Sequence, residues 1–161
     1  RLLAFGMLDG KEKLINERIH VATGALEAAK DPQGEFAASK QLAELYWELV
    51  YQGLVQGDMR RHALDQVRKH VGKALAHHQA DGGLWAIAGR MRLLEHDYDG
   101  AQKAFDMAVE KHFPPVRVQP YLAELAFLRH DYAAVRHYMK QIQHEGRSQQ
   151  MALVADYWGQ A

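Results

Sequence analysis

A chain of 161 residues that is 48% hydrophobic and 25% charged can bury one ordinary core, and its formal net charge of +0 leaves no bulk footprint for a polyanion such as nucleic acid. It contains no cysteine, which excludes disulfides, thiolate zinc sites and cysteine nucleophiles and makes a reducing, cytoplasmic setting the default expectation. No run approaches the roughly 20 apolar residues of a membrane-spanning helix, and the start does not read as a secretory leader.

Beginning at Arg1 rather than Met, with apolar Leu2-Leu3-Ala4-Phe5 next, the chain reads as a fragment, so an upstream membrane anchor stays open. From Lys13 to Lys30 the apolar Ile15, Ile19, Ala22 and Leu26 recur at steps of 4, 3 and 4, the pattern of one helix face. This N-terminal amphipathic helix, within residues 12–34, is expected to stop at Asp31-Pro32-Gln33-Gly34. The next helix spans about Glu35 to Gln56, with Leu42, Leu45, Leu49 and Gly53 on one stripe, and Gly57-Asp58 turns it. A basic helix follows from Met59 to about His78, and Asp81-Gly82-Gly83 breaks the chain.

Two regular pairs come next: Leu84–Glu95 with Tyr98–Lys111, then, beyond Pro114-Pro115, Val118–Arg129 with Tyr132–His144. Pro120 fits the first turn of its helix, where a missing N–H matters least. Gly146 is expected to introduce a separate closing helix, Gln149–Tyr157. No low-complexity segment or flexible linker interrupts residues 1–161, which read as one domain.

His-Asp-Tyr occurs at His96-Asp97-Tyr98 and again at His130-Asp131-Tyr132. The separation is that of stacked helical hairpins, which recur about every 34 residues. In this register Leu94 aligns with Leu128, Phe105 with Met139 and Ala108 with Ile142. Each Asp stands where a carboxylate accepts from the free N–H groups of the following helix, and Tyr98 and Tyr132 are expected to wedge between helices. Trp85, Gly89, Ala101, Phe105, Ala108 and Pro114-Pro115 resemble the tetratricopeptide signature of an early Trp, a small residue, an A-x3-F pair and a closing Pro, with departures at Ala88 and Arg92. The resemblance implies an all-α, right-handed superhelical solenoid of about three hairpins. These are residues 35–81, irregular, then 82–115 and 116–148, with 149–161 as a capping helix. Setting Gln56-Gly57-Asp58-Met59 on Glu95-His96-Asp97-Tyr98 leaves five extra residues in the irregular copy, expected between Met59 and Val67 and lengthening its second helix.

Ten histidines invite a metal reading. His62, His70 and His77, like His130, His137 and His144, are seven or eight residues apart, about 10–12 Å along a helix, whereas the ligands of one ion converge within about 2 Å of it. Solvated surface histidines are the expectation, and no metal or other cofactor. Serine occurs only at Ser39 and Ser148, neither in a nucleophile elbow, and the glycines make neither phosphate-binding fingerprint, so no enzymatic chemistry is expected. Arg60, Arg61, Arg68, Lys69 and Lys73 read as a solvated outer face, with Asp65 paired to Lys69, rather than as a lipid or phosphate surface.

In the tetratricopeptide family, first-helix positions face a concave groove. By resemblance these are Glu44, Trp47, Tyr51 and Leu54, then Ala86, Arg90 and Leu93, then Pro120, Glu124 and Phe127. Of these, Trp47, Tyr51, Leu54, Arg90, Leu93, Glu124 and Phe127 are the candidate partner-binding residues. Either a partner or the Lys13–Lys30 helix fills the aromatic end. Residues 45–58 (LYWELVYQGLVQGD) and 120–127 (PYLAELAF) further resemble the cytoplasmic repeat region of the PelE family of the bacterial Pel exopolysaccharide machinery. That resemblance implies a scaffold following membrane helices, with a PelD-like inner-membrane cyclic-di-GMP receptor as partner. The alternative is an assembly element that pairs with its own copies through its terminal helices.

Overall fold

The computed structural model describes the backbone of residues 2–77 and 80–159, and the side chains of residues 10–77, 80–144 and 146. Among the described residues all regular structure is helical: α1 (Leu2–Ala28), α2 (Pro32–Tyr51), α3 (Gly57–Leu75), α4 (Gly82–Leu94), α5 (Tyr98–Glu110), α6 (Pro115–Leu128) and α7 (Tyr132–Gly159). No helix there is long and apolar enough to cross a membrane. The most extensive contacts are within α2–α3, α4–α5, α6–α7 and α1–α2, while α4 also touches α2 on one side and α6 on the other.

Helix ends follow local chemistry. Asp31 caps α2 by accepting from the Gly34 N–H, with Pro32 in the first turn, so the Pro-Gly stretch opens the second helix as well as closing the first. Asp81, Asp97 and Asp131 accept in the same way from Leu84, Gly100 and Ala134 at 2.9, 3.0 and 3.1 Å. At the end of α4, His96 takes a left-handed φ of 61°; its N–H donates to Leu93 O, and that of Asp97 donates to Arg92 O. At the end of α6, His130 has the same φ of 61°, and the bonds His130 to Phe127 O and Asp131 to Ala126 O repeat the set one period on. This is the Schellman closure, with histidine, one of the few side chains that tolerates αL, in the place usually held by glycine.

The irregular pair differs in two ways. At 19 residues, α3 is longer than the 13-residue α5, in the sense expected. However, α2 stops at Tyr51, where Gly53 (φ 66°) makes the left-handed closure and Leu54 donates back to Leu49 O. The chain therefore leaves the helix before Leu54 rather than running on to Gln56.

Three further expectations are corrected. Gly146 does not interrupt α7, which runs unbroken to Gly159; an exposed mid-helix glycine costs only about 1 kcal/mol relative to alanine. Pro120 lies inside α6, because that helix begins at Pro115, so the Val116 carbonyl loses its helical donor. Tyr98 is half-buried and packs in a cluster with Tyr121 and Leu122 of α6, but Tyr132 is 51% exposed, because no described helix follows α7 to cover it. Trp85, the early tryptophan of the signature, is partly buried against the core.

The core mixes alanines at close helix contacts with larger side chains such as Leu42, Leu84 and Leu125, and Phe105 is the largest that is fully buried. Phe105 is 1% exposed, and a Cβ added at Gly89 of α4 would sit 2.6 Å from its ring. Alanine at Gly89 should therefore destabilise the fold by about 1–3 kcal/mol through overpacking, and Phe105→Ala by about 3–5 kcal/mol through a cavity. Combining Gly89→Ala with Phe105→Leu should cost less than the sum of the single changes, read by denaturant titration. Strict additivity would contradict the contact.

Candidate functional site

The first helix of each pair, α2, α4 and α6, contributes to one cleft of about 600 Å³. From α2 come Glu44, Trp47, Glu48 and Tyr51; from α4, Gly83, Ala86, Ile87 and Arg90; and from α6, Arg117, Val118 and Tyr121, with Phe113 just before it. Gly83, Ile87 and Arg90 are spaced by four and three residues, as are Arg117, Tyr121 and Glu124 one period later in the chain, so both helices present the same stripe.

Arg90 sits at the centre. Its guanidinium lies 4.6 Å from the Trp47 ring centroid, 4.7 Å from that of Tyr51 and 4.5 Å from that of Tyr121, so rings from both neighbouring helices flank it. Tyr121 in turn stacks on Phe105 at 5.8 Å, tying the cleft wall to the core. Burial lowers the Arg90 pKa, and Arg117 pushes the same way, against the opposing influence of Tyr121, Tyr51 and Glu124. Arg117 lies over the Phe113 ring at 4.8 Å.

Of the candidate partner-binding residues, Trp47, Tyr51 and Arg90 are brought together. Glu124 is exposed and acts on Arg90 only through its field, outside ion-pair distance. Leu54 packs with the Leu49 and Val55 cluster against α1, since the chain has already left α2. Leu93 is buried with Phe105 and Leu125, and Phe127 is 58% exposed, edge-on to Tyr132 rather than lining the cleft. The real stripe lies nearer the helix N-termini, the direction in which helical side chains lean. Shifting Gly83 and Ile87 by one hairpin period lands on Arg117 and Tyr121, which is the signal that would have found both. The aromatic end is not filled by α1, which packs on the Leu42, Leu45 and Leu49 side of α2.

The basic helix is also corrected in detail. Asp65 pairs with Arg68 at 2.8 Å rather than with Lys69, and Arg68 reaches across to Glu95 at the end of α4 at 2.7 Å. Nor are all the histidines solvated: His70 is 4% exposed, stacked parallel on Tyr46 at 6.1 Å. His62 meets the same tyrosine edge-on, and His77, just beyond the end of α3, meets Phe36, so two α3 histidines and one that follows the helix face rings of α2. No group of three or more His, Cys, Asp or Glu among the described residues is arranged to hold a metal ion. No family model, curated protein or solved structure matches the chain.

Burial, reinforced by Lys69 and Lys73, holds His70 down to about 4. The unfolded chain therefore takes up a proton near pH 6.5 that the folded chain refuses until about pH 4. Stability is complete above that window and falls as pH drops through it, by about 3 kcal/mol at the acid end. His70→Leu should flatten the pH dependence of stability between pH 6.5 and 4 by close to one proton. Superimposable slopes for the two proteins would refute the assignment.

Proposed function

We propose that the chain is a protein-interaction scaffold: a tetratricopeptide-like solenoid of about three helical hairpins whose concave side is the α2/α4/α6 cleft. The observation that carries this reading is Arg90 of α4, held half-buried among rings from α2 and α6 in an open cleft. Aromatic and arginine side chains in such positions dominate the energetics of protein interfaces. Support for the repeat comes from the identical turns at His96 and His130 and from α4 lying against both α2 and α6, as first helices of stacked hairpins do.

The likeness of residues 45–58 and 120–127 to the PelE family directs the proposal further. The scaffold serves a bacterial exopolysaccharide synthase complex, follows membrane helices on the cytoplasmic side and binds a PelD-like cyclic-di-GMP receptor. In this role the chain binds and positions, and carries out no catalysis itself. A second reading, self-association, is favoured by Leu14 and Val21, which stand exposed on α1.

The two readings separate in solution. Mixed with the PelD-like receptor of its own organism, the chain should form a complex weakened at least tenfold, about 1.4 kcal/mol, by Arg90→Glu combined with Tyr51→Ala, with the melting curve little changed. Arg60→Glu on α3 should leave binding intact. A concentration-dependent dimer in sedimentation, abolished by Leu14→Glu with Val21→Glu and blind to the cleft variants, would favour self-association instead.

A further inference from the structure

The charges lining the cleft are unevenly satisfied. On the α2 side, Glu44 has Lys40 at 3.9 Å, and Glu48 accepts from Gln52 at 2.7 Å. On the opposite side, Arg90 and Arg117 stand on aromatic rings, and neither guanidinium forms an ion pair or hydrogen bond with any described residue. Arg61, Arg68, Arg92 and Arg129 each have a carboxylate within 3.3 Å or less, and Arg18, Arg60 and Arg136 form no ion pair with a described residue but stand over no ring. Both arginines that line the cleft lack one.

Stacking occupies the faces of a guanidinium and leaves its N–H groups, which lie in the plane, free to donate. For Arg90 the usual compensation for removing a cation from water is therefore half made. The rings supply cation–π attraction, but no acceptor replaces the hydration of the N–H fork. Glu124, the carboxylate whose field bears on it, is exposed on α6 and does not close that gap. A carboxylate accepts two parallel N–H bonds from such a fork, and Arg117, close enough to disfavour the charge on Arg90, would share it. Beside the two cations, Val118, Ile87 and Phe113 make an apolar floor.

We propose that the cleft receives an acidic peptide segment, an aspartate or glutamate side chain seated on Arg90 and Arg117 with an apolar neighbour against Val118 and Phe113. This inference rests on the interaction-scaffold reading and names the chemistry of the partner at that same site. The stacked rings hold the arginine fork ready, so that little side-chain entropy is lost when the carboxylate arrives.

The test uses two fluorescein-labelled synthetic decapeptides, one alternating glutamate with leucine and phenylalanine, the other with every glutamate replaced by glutamine. Polarisation should show the acidic peptide binding at least tenfold more tightly than its neutral counterpart, with the difference shrinking as salt is raised. Arg90→Gln and Arg117→Gln should each remove most of that preference. Because Arg90→Gln also removes ring contacts, Arg90→Lys serves as second variant: it keeps the charge and loses the fork, and should lose at least half of the preference in logarithmic terms while its circular-dichroism melt matches the parent. Equal binding of the two peptides, weakened alike by Tyr51→Ala, would overturn the carboxylate inference and leave the cleft standing as an interaction surface. A preference for the acidic peptide that survives Arg90→Gln with Arg117→Gln, or is lost in Arg60→Glu, would place the contact elsewhere and overturn both. Absence of binding by either peptide at millimolar protein would overturn the carboxylate inference alone.

Discussion

The contact between Phe105 and Gly89 fixes the orientation of α4, and most of the rest depends on it. With no side chain at Gly89, the Phe105 ring closes to within what would be a clash for any Cβ, and this sets the roll of α4 about its own axis. Leu84, Ala88 and Met91 then fall into the core, and Ile87 and Arg90 face the cleft. The same ring stacks on Tyr121, so the residue that packs α4 on α5 also positions the α6 wall against Arg90. Interiors at crystal-like density transmit such constraints with little slack.

Around that contact the electrostatics are divided by location. Outer ion pairs such as Arg68 with Glu95, and Arg129 with Asp99 at 2.6 Å, link the end of one helix to its neighbours; being exposed, each contributes little to stability. Lys40 reaches Asp81 and ties α2 to the residue that caps α4. Inside the cleft the arrangement is reversed. There a guanidinium is partly desolvated and stacked, which is costly in isolation and useful for recognition, because the deficit is removed when an acceptor arrives.

Much of the architecture was legible in the sequence because it rests on local chemistry. Asp97 and Asp131 cap helices wherever their neighbours allow, and an identical tripeptide one period apart makes an identical turn. The long α3 followed from counting residues between aligned turns. Less legible was anything set by the roll of a helix. The resemblance to the tetratricopeptide first-helix positions puts Leu54, Leu93 and Phe127 in the groove, whereas Gly53 ends α2 before Leu54 is reached and the observed cleft is lined nearer the helix N-termini, through Tyr121 and Arg117. His70 reads as solvated because its spacing from His62 and His77 rules out a shared ion; only its packing against Tyr46 reveals burial. Gly146 looked like a break, but one exposed glycine is too weak a signal to end a helix.

The measurement nearest to the central claim is the Nε–H spectrum of the arginines by 15N-edited NMR on the protein alone. A guanidinium 4.5–4.7 Å from three ring centroids must experience their ring currents, so one Nε–H resonance should stand well apart from the others, disappear in Arg90→Lys and return toward the common position in Tyr121→Ala. If every arginine resonates at the position of a solvated side chain, Arg90 is not held among the rings and the cleft is not the preorganised recognition surface argued from its geometry.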